Sequence, residues 1–258
     1  MTGISKSTRA TAEKTIVPTE KQPIRLAYIE KVEVIKTLIK EDSKLTAFIG
    51  LEQPRLAITF AEVTNDKSEE VGHYTETFFP VNPEISELGL KVQHEKMFSK
   101  LKHFITVLKR RRNNVKDPIT DEEYKLLDLY TKANEKQSYT EQVALYSNVE
   151  YYNEYERFFN NVAKLFVGDK KKKGIIVDEK GKIILWLKLI YPAGKSFVRT
   201  PDFVGNGIIE LYTQNKPTTL KISISKGESI KETSITKIDT SVFNANPENA
   251  NIIPDWAK

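Results

Sequence analysis

Leu90, His94, Met97, Leu101, Phe104, Ile105 and Leu108 recur at steps of three and four, which places them on one stripe of a single α-helix. On both sides of that helix the apolar period changes to two. RLAITFAEV (55–63) and HYTETFFPV (73–81) precede it, and KIILWLKLIYP (182–192), IIELYT (208–213) and TTLKISIS (218–225) follow. These segments are rich in the β-branched and aromatic residues that suit strands. A chain that runs strands, helix, strands buries its helical stripe against a sheet, so the expected class is α+β. LTAFIG (45–50) and RLAITFAEV, joined across Leu51-Glu-Gln-Pro54, read as a hairpin. PIRLAYIEKVEVIKTLIK (23–40) is ambiguous between strand and helix.

A second helix is expected over 148–166, where Tyr151, Tyr155, Phe158, Phe159, Val162 and Phe166 form an aromatic stripe that belongs in a core, with Tyr152 pointing elsewhere. Residues 117–140 are acidic and helix-prone from Asp117-Pro118 onwards. Helical text therefore fills 84–168, between the third and fourth strands. Residues 1–23 read as a flexible arm, 24–231 as one domain and 232–258 as a tail.

Zero cysteines in 258 residues remove disulfides, thiolate metal sites and thiol catalysis. Three histidines, His73, His94 and His103, leave little imidazole chemistry, and His94 has no second ligand one turn away on its helix. Gly168-Asp-Lys-Lys-Lys-Lys-Gly174 has neither the spacing nor the continuation of a phosphate loop, and Gly205-Asn-Gly207 lacks the third glycine of a dinucleotide fold. Pro201-Asp202 follows the nearest acid-x-Lys element, Asp178-Glu-Lys180, where a metal-dependent nuclease would have it precede. No cofactor, no metal and no enzymatic activity are expected. No run nears the ~18 apolar residues of a membrane span, and the N-terminus has no secretory apolar stretch, so a cytoplasmic location without membrane contact is expected.

The net charge of +5 conceals a sharp alternation. Residues 61–90 carry −6, 91–116 carry +8, 117–160 carry −6 and 161–200 carry +7. Blocks of one sign are footprints for phosphate, or they neutralise one another across the fold. The basic blocks include Arg110, Arg111 and Arg112 at the end of the first helix, where they also suit the helix dipole, and Lys170, Lys171, Lys172 and Lys173.

Around this order of elements the chain resembles phage-type single-stranded DNA-binding proteins. The stretches that carry the resemblance are HYTETFFP, KLKHFITVL and KIILWLKLIYPAGKSFVRTPDFVGNGIIE, and it spans about residues 40–215. The resemblance implies an OB-like antiparallel β-barrel with an enlarged helical insertion between the third and fourth strands, acting in DNA replication or recombination. Its partner would be single-stranded DNA, with RNA and a homo-oligomer left open. Such binders pair a basic groove with aromatic platforms. Trp186, Tyr191, Phe197 and Tyr74 are the expected platforms, and Lys182, Lys188, Lys195 and Arg199 the phosphate partners beside the two basic clusters. Each aromatic has a core alternative, because half of a barrel strand points inward. Lys188, in an otherwise apolar strand, is expected to reach water or an anion. The ending Ile253-Pro-Asp255-Trp256 has a loose likeness to the acidic, apolar-tipped tails by which such proteins recruit replication enzymes, although Asp255 lacks an acidic run around it. A virion structural or packaging protein, with the charge blocks pairing between subunits, is the rival class, and a metal-dependent nuclease a third.

Overall fold

The computed structural model describes residues 16, 24–63, 72–113, 120, 123, 138–170, 173–178, 181–192, 195, 197–202, 204–213, 217, 219–220 and 228–229. The long first strand, β1 (Ile24–Leu38), pairs antiparallel with β2 (Glu52–Glu62), and β2 with β3 (His73–Phe78). Helices α1 (Glu87–Asn113), α2 (Tyr139–Ala144) and α3 (Asn148–Val167) follow. A small hairpin of β4 (Val177–Asp178) and β5 (Gly181–Lys182) leads into β6 (Ile184–Lys188), then β7 (Tyr191–Pro192), β8 (Ile209–Leu211) and β9 (Glu228–Ser229). The main sheet has the order β3-β2-β1-β6-β8, with β7 and β9 paired separately. Its class is α+β. The sheet is open, and among the described residues no ladder joins its edges β3 and β8.

One face of this sheet is the core. Ala27 and Ile29 of β1, Leu56, Ile58 and Phe60 of β2, Phe78 of β3, Leu185 and Leu187 of β6 and Ile209 of β8 join a single buried cluster with the stripes of α1 and α3. Phe104 of α1 meets Phe60 and Phe78 edge-on, at 5.9 and 6.4 Å between centroids. From α3, Tyr151 donates to the Val81 carbonyl at 2.7 Å, and the Tyr155 hydroxyl accepts from the Val81 N–H at 3.1 Å. Helix α3 starts at a capping box in which Ser147 and Glu150 satisfy each other's backbone N–H groups. It ends at Gly168, whose φ of 83° is the left-handed conformation that glycine adopts without a Cβ clash.

Several expectations are corrected. LTAFIG is not a strand: residues 46–48 form a 3-10 turn, and Phe48 packs against Tyr152 at 4.7 Å while the chain turns between β1 and β2. Tyr152 is accordingly buried rather than turned outward. KIILWLKLIYP is split, because β7 leaves the main sheet to pair with β9. SFVRT contributes one bridge, Ile190 to Arg199. All of TTLKISIS but Thr219 and Leu220, most of the 117–140 segment, the 232–258 tail and all of the N-terminal arm but Ile16 lie outside the described residues. Among the described residues, no helix is long and apolar enough to cross a membrane.

Candidate nucleic-acid interface

Residues paired across an antiparallel ladder share a face, and the side chains alternate along each strand. Opposite the core face, therefore, His73, Ala61, Tyr28 and Ile184 form one row across β3, β2, β1 and β6. Leu26, Trp186 and Glu210 form the next across β1, β6 and β8. The Tyr212 N–H donates to the Ile184 carbonyl at 3.1 Å, and the Tyr212 ring meets Trp186 at 5.5 Å and 63°. Three aromatic side chains thus surround Ile184, and Tyr28 and Trp186 are partly exposed while Tyr212 is exposed. The Lys182 ammonium rests 3.9 Å from the Tyr28 ring centroid.

Towards β3 the same face becomes a floor of small residues: Ala57, Thr59 and Ala61 on β2, Thr75 and Thr77 on β3. Thr59 and Thr75 share a hydroxyl hydrogen bond at 3.0 Å. At the far end Arg55 lies 5.4 Å from the centroid of the exposed Phe79 ring. Lys31 also faces this side, where it pairs with Glu33 at 2.7 Å. Among the described residues, the stripes of α1 and α3 both join the core cluster rather than this face. The result is a shallow track with aromatics at both ends, a small-residue floor and cations along it.

The expected site residues divide. Trp186 and Lys182 stand on this face, and Lys195 and Phe197 are exposed in the segment before Arg199. Tyr74 and Tyr191 are buried, so neither offers a ring to a base. Lys188 alternates onto the same face of β6 as Trp186 and Ile184, but it is 2% exposed and does not reach water, so the face is covered at that end of β6. Lys170 and Lys173 are exposed beyond α3, and Arg110 is exposed on α1. The side chains of Arg111 and Arg112, and Lys171, Lys172, Ile253, Asp255 and Trp256, lie outside what is described. Tyr28, Tyr212, Arg55 and Phe79 were missed in the sequence. The signal that finds Tyr28 is the antiparallel register of β1 against β6, which no single segment carries.

Two lysines of the +8 block are paired with acids inside the fold. Lys109 forms a buried pair with Glu123, whose reciprocal bonds with Thr120 are those of a capping box. Lys100 is buried, 3.0 Å from Glu76 and 3.0 Å from the Thr200 hydroxyl. Glu76 also accepts from Tyr74, and Thr200 N–H donates to the Tyr74 oxygen at 2.9 Å. Burial, followed by the Glu76 charge, holds the Tyr74 hydroxyl well above its usual range, so it stays a donor. Both acids come from the neighbouring −6 blocks, so part of the charge alternation is spent inside the fold. Among the described residues no group of three or more His, Cys, Asp or Glu gathers where it could hold a metal ion.

A cleft of about 620 Å³ separates α1 from the outer edge of β8, lined by Lys102, His103, Arg110, Ile209 and Leu211 among others. His103 Nε2 accepts from the N–H groups of Ile208 and Ile209, both at 3.2 Å. A proton on Nε2 would face two donors. Burial lowers the His103 pKa to about 4. The group is neutral in the fold at pH 5–6, whereas the unfolded chain binds a proton below about 6.5. Stability linked to His103 is therefore present above pH 6.5 and is lost as pH falls towards 4, to the extent of about 2–3 kcal/mol. Urea unfolding at pH 7.5 and 4.5 should show this loss, and His103→Gln, which keeps an acceptor, should reduce it.

No family model, curated protein sequence or solved structure matches the chain.

Proposed function

We infer that the protein is a non-enzymatic binder of single-stranded DNA, and that the strand lies along the open face of the sheet. The observation that carries the reading is the juxtaposition of Tyr28, Trp186 and Tyr212 around Ile184, with the Lys182 ammonium on the Tyr28 ring. Bases stack on such rings whatever their identity, and nearby cations take the phosphates between them. A base entering at Tyr28 exchanges with the Lys182 ammonium, which then turns to the following phosphate. The small-residue floor admits the sugar-phosphate chain close to the backbone of β2 and β3, and Phe79 with Arg55 offers a further stacking and phosphate position. Cys-free, His-poor composition fits binding better than catalysis, and the family resemblance implies a role in replication or recombination. The strand order also suits an OB-like barrel: pairing of β3 with β8 is the only ladder such a closure would add.

Binding of this kind releases counterions. With Lys31, Arg55 and Lys182 engaged, the logarithm of the association constant for oligo-dT should fall against the logarithm of salt with a slope of about −2, at ~0.7 per phosphate neutralised on a single strand. Gel shift or anisotropy across a salt series checks it. A slope near zero, or no complex at low salt, removes the reading. RNA of the same sequence in the same series tells whether the 2′-hydroxyl matters.

A further inference from the structure

Beyond the edge strand β3 lies a second cationic cluster outside the sheet face. Lys96 and Lys100 of α1 and Arg199, from the segment after β7, converge on the Asp202 carboxylate at 3.8, 3.8 and 3.2 Å. Two of these distances exceed hydrogen-bond length, so the lysines hold Asp202 by charge rather than by directed bonds. Asp202 is partly exposed, with 37% of its side chain accessible. Arg199 Nε is buried and has no acceptor among the described residues. The cluster borders a cavity of about 200 Å³ whose wall includes Gln93, Lys96, Lys100 and Thr77 together with the carboxylates of Glu76 and Asp202. Three cations thus face two carboxylates, Asp202 and the Glu76 already tied into the buried network, which leaves one positive charge in excess.

We propose that Lys96, Lys100 and Arg199 form a phosphate-binding site, and that Asp202 is its resident anion in the free protein. The Asp202 carboxylate comes within 3.2 Å of Arg199 but stays 3.8 Å from both ammonium groups, so it fills the space between the three cations incompletely. A tetrahedral phosphate presents oxygens in several directions and carries at least the same charge, so it meets the ammonium groups and the planar guanidinium together. When phosphate enters, Asp202 swings towards solvent, where it is already partly exposed. The site lies beside Thr77 and Phe79, at the β3 end of the track, so a strand crossing the sheet would deliver a phosphate there. That second source rests on the single-strand reading; free phosphate does not.

The test uses the full chain and two probes. Inorganic phosphate, against chloride at matched ionic strength, should raise the thermal midpoint of the wild-type protein. In Asp202→Asn the site loses its competitor, so the apparent affinity for inorganic phosphate should rise about threefold to tenfold. In Lys96→Gln/Arg199→Gln the phosphate response should vanish. With oligo-dT, Asp202→Asn should steepen the salt slope by about 0.7, one further phosphate on a single strand. A wild-type response to phosphate no greater than to chloride, together with an unchanged response in Asp202→Asn, overturns the site even where oligo-dT binds. A phosphate response with no oligo-dT binding keeps the site and removes the single-strand reading. Should Asp202→Asn not fold, the double glutamine variant decides: a phosphate response that survives it overturns the proposal.

Discussion

Trp186→Ala should weaken oligo-dT binding by roughly 5- to 150-fold, the equivalent of the ~1–3 kcal/mol that one base–aromatic stack contributes. Trp186 sits in the row between Leu26 and Glu210, with Tyr212 against its side and its Nε1 buried without a partner among the described residues. The indole is therefore held at a fixed tilt rather than free to rotate, and a base meets it without much further ordering. Trp186→Phe keeps a ring in the same place and should lose far less than alanine. Tyr28→Ala should show a smaller loss, because Lys182 already occupies part of that ring. Anisotropy measured alongside urea unfolding separates lost stacking from lost stability. An affinity unchanged in Trp186→Ala would remove the sheet face from the binding account.

Lys100→Met should destabilise the fold by about 3–5 kcal/mol, the usual consequence of stripping one partner from a buried ion pair. It leaves Glu76 in the core with the hydroxyls of Tyr74 and Thr200 as its remaining hydrogen-bond partners among the described residues. Adding Glu76→Leu to Lys100→Met should recover much of the loss, because a well-packed apolar pair avoids burying charge. The double-mutant cycle then reports a coupling well above the measurement error. This network joins β3, α1 and the segment before β8, so it fixes how α1 spans the two edges of the sheet. A loss below about 1 kcal/mol in Lys100→Met would mean that Glu76 reaches water, contrary to its burial.

The helices and inner strands were legible in the sequence because burial imposes a period. Leu90, Met97, Leu101, Phe104, Ile105 and Leu108 are all buried on α1 as their spacing requires, and the aromatic stripe of α3 is likewise interior. β1 was ambiguous for a physical reason. Its register shifts between Ile29 and Lys31, so the inward positions change from Ala27 and Ile29 to Val32 and Val34. A step of three in the middle of a strand imitates a helix. Charge was the least legible property. Lys100 and Lys109 look like members of a basic helix face, yet each is buried against an acid that lies 24 or 14 residues away in the sequence. Sequence spacing records which residues alternate along one element, and it does not record which element lies across from it. For the same reason Trp186 was found as a residue while Tyr28 and Tyr212, its neighbours across β1 and β8, were not.

The open sheet face is tested most directly by the fluorescence of Trp186 itself. The chain has two tryptophans, so Trp256→Phe leaves Trp186 as the sole indole. Titrating that variant with oligo-dT at low salt should quench its emission to saturation, reverse on addition of salt, and give the same affinity as anisotropy. An oligo-dT complex that forms without any change in Trp186 emission would contradict the account, as would the absence of any complex.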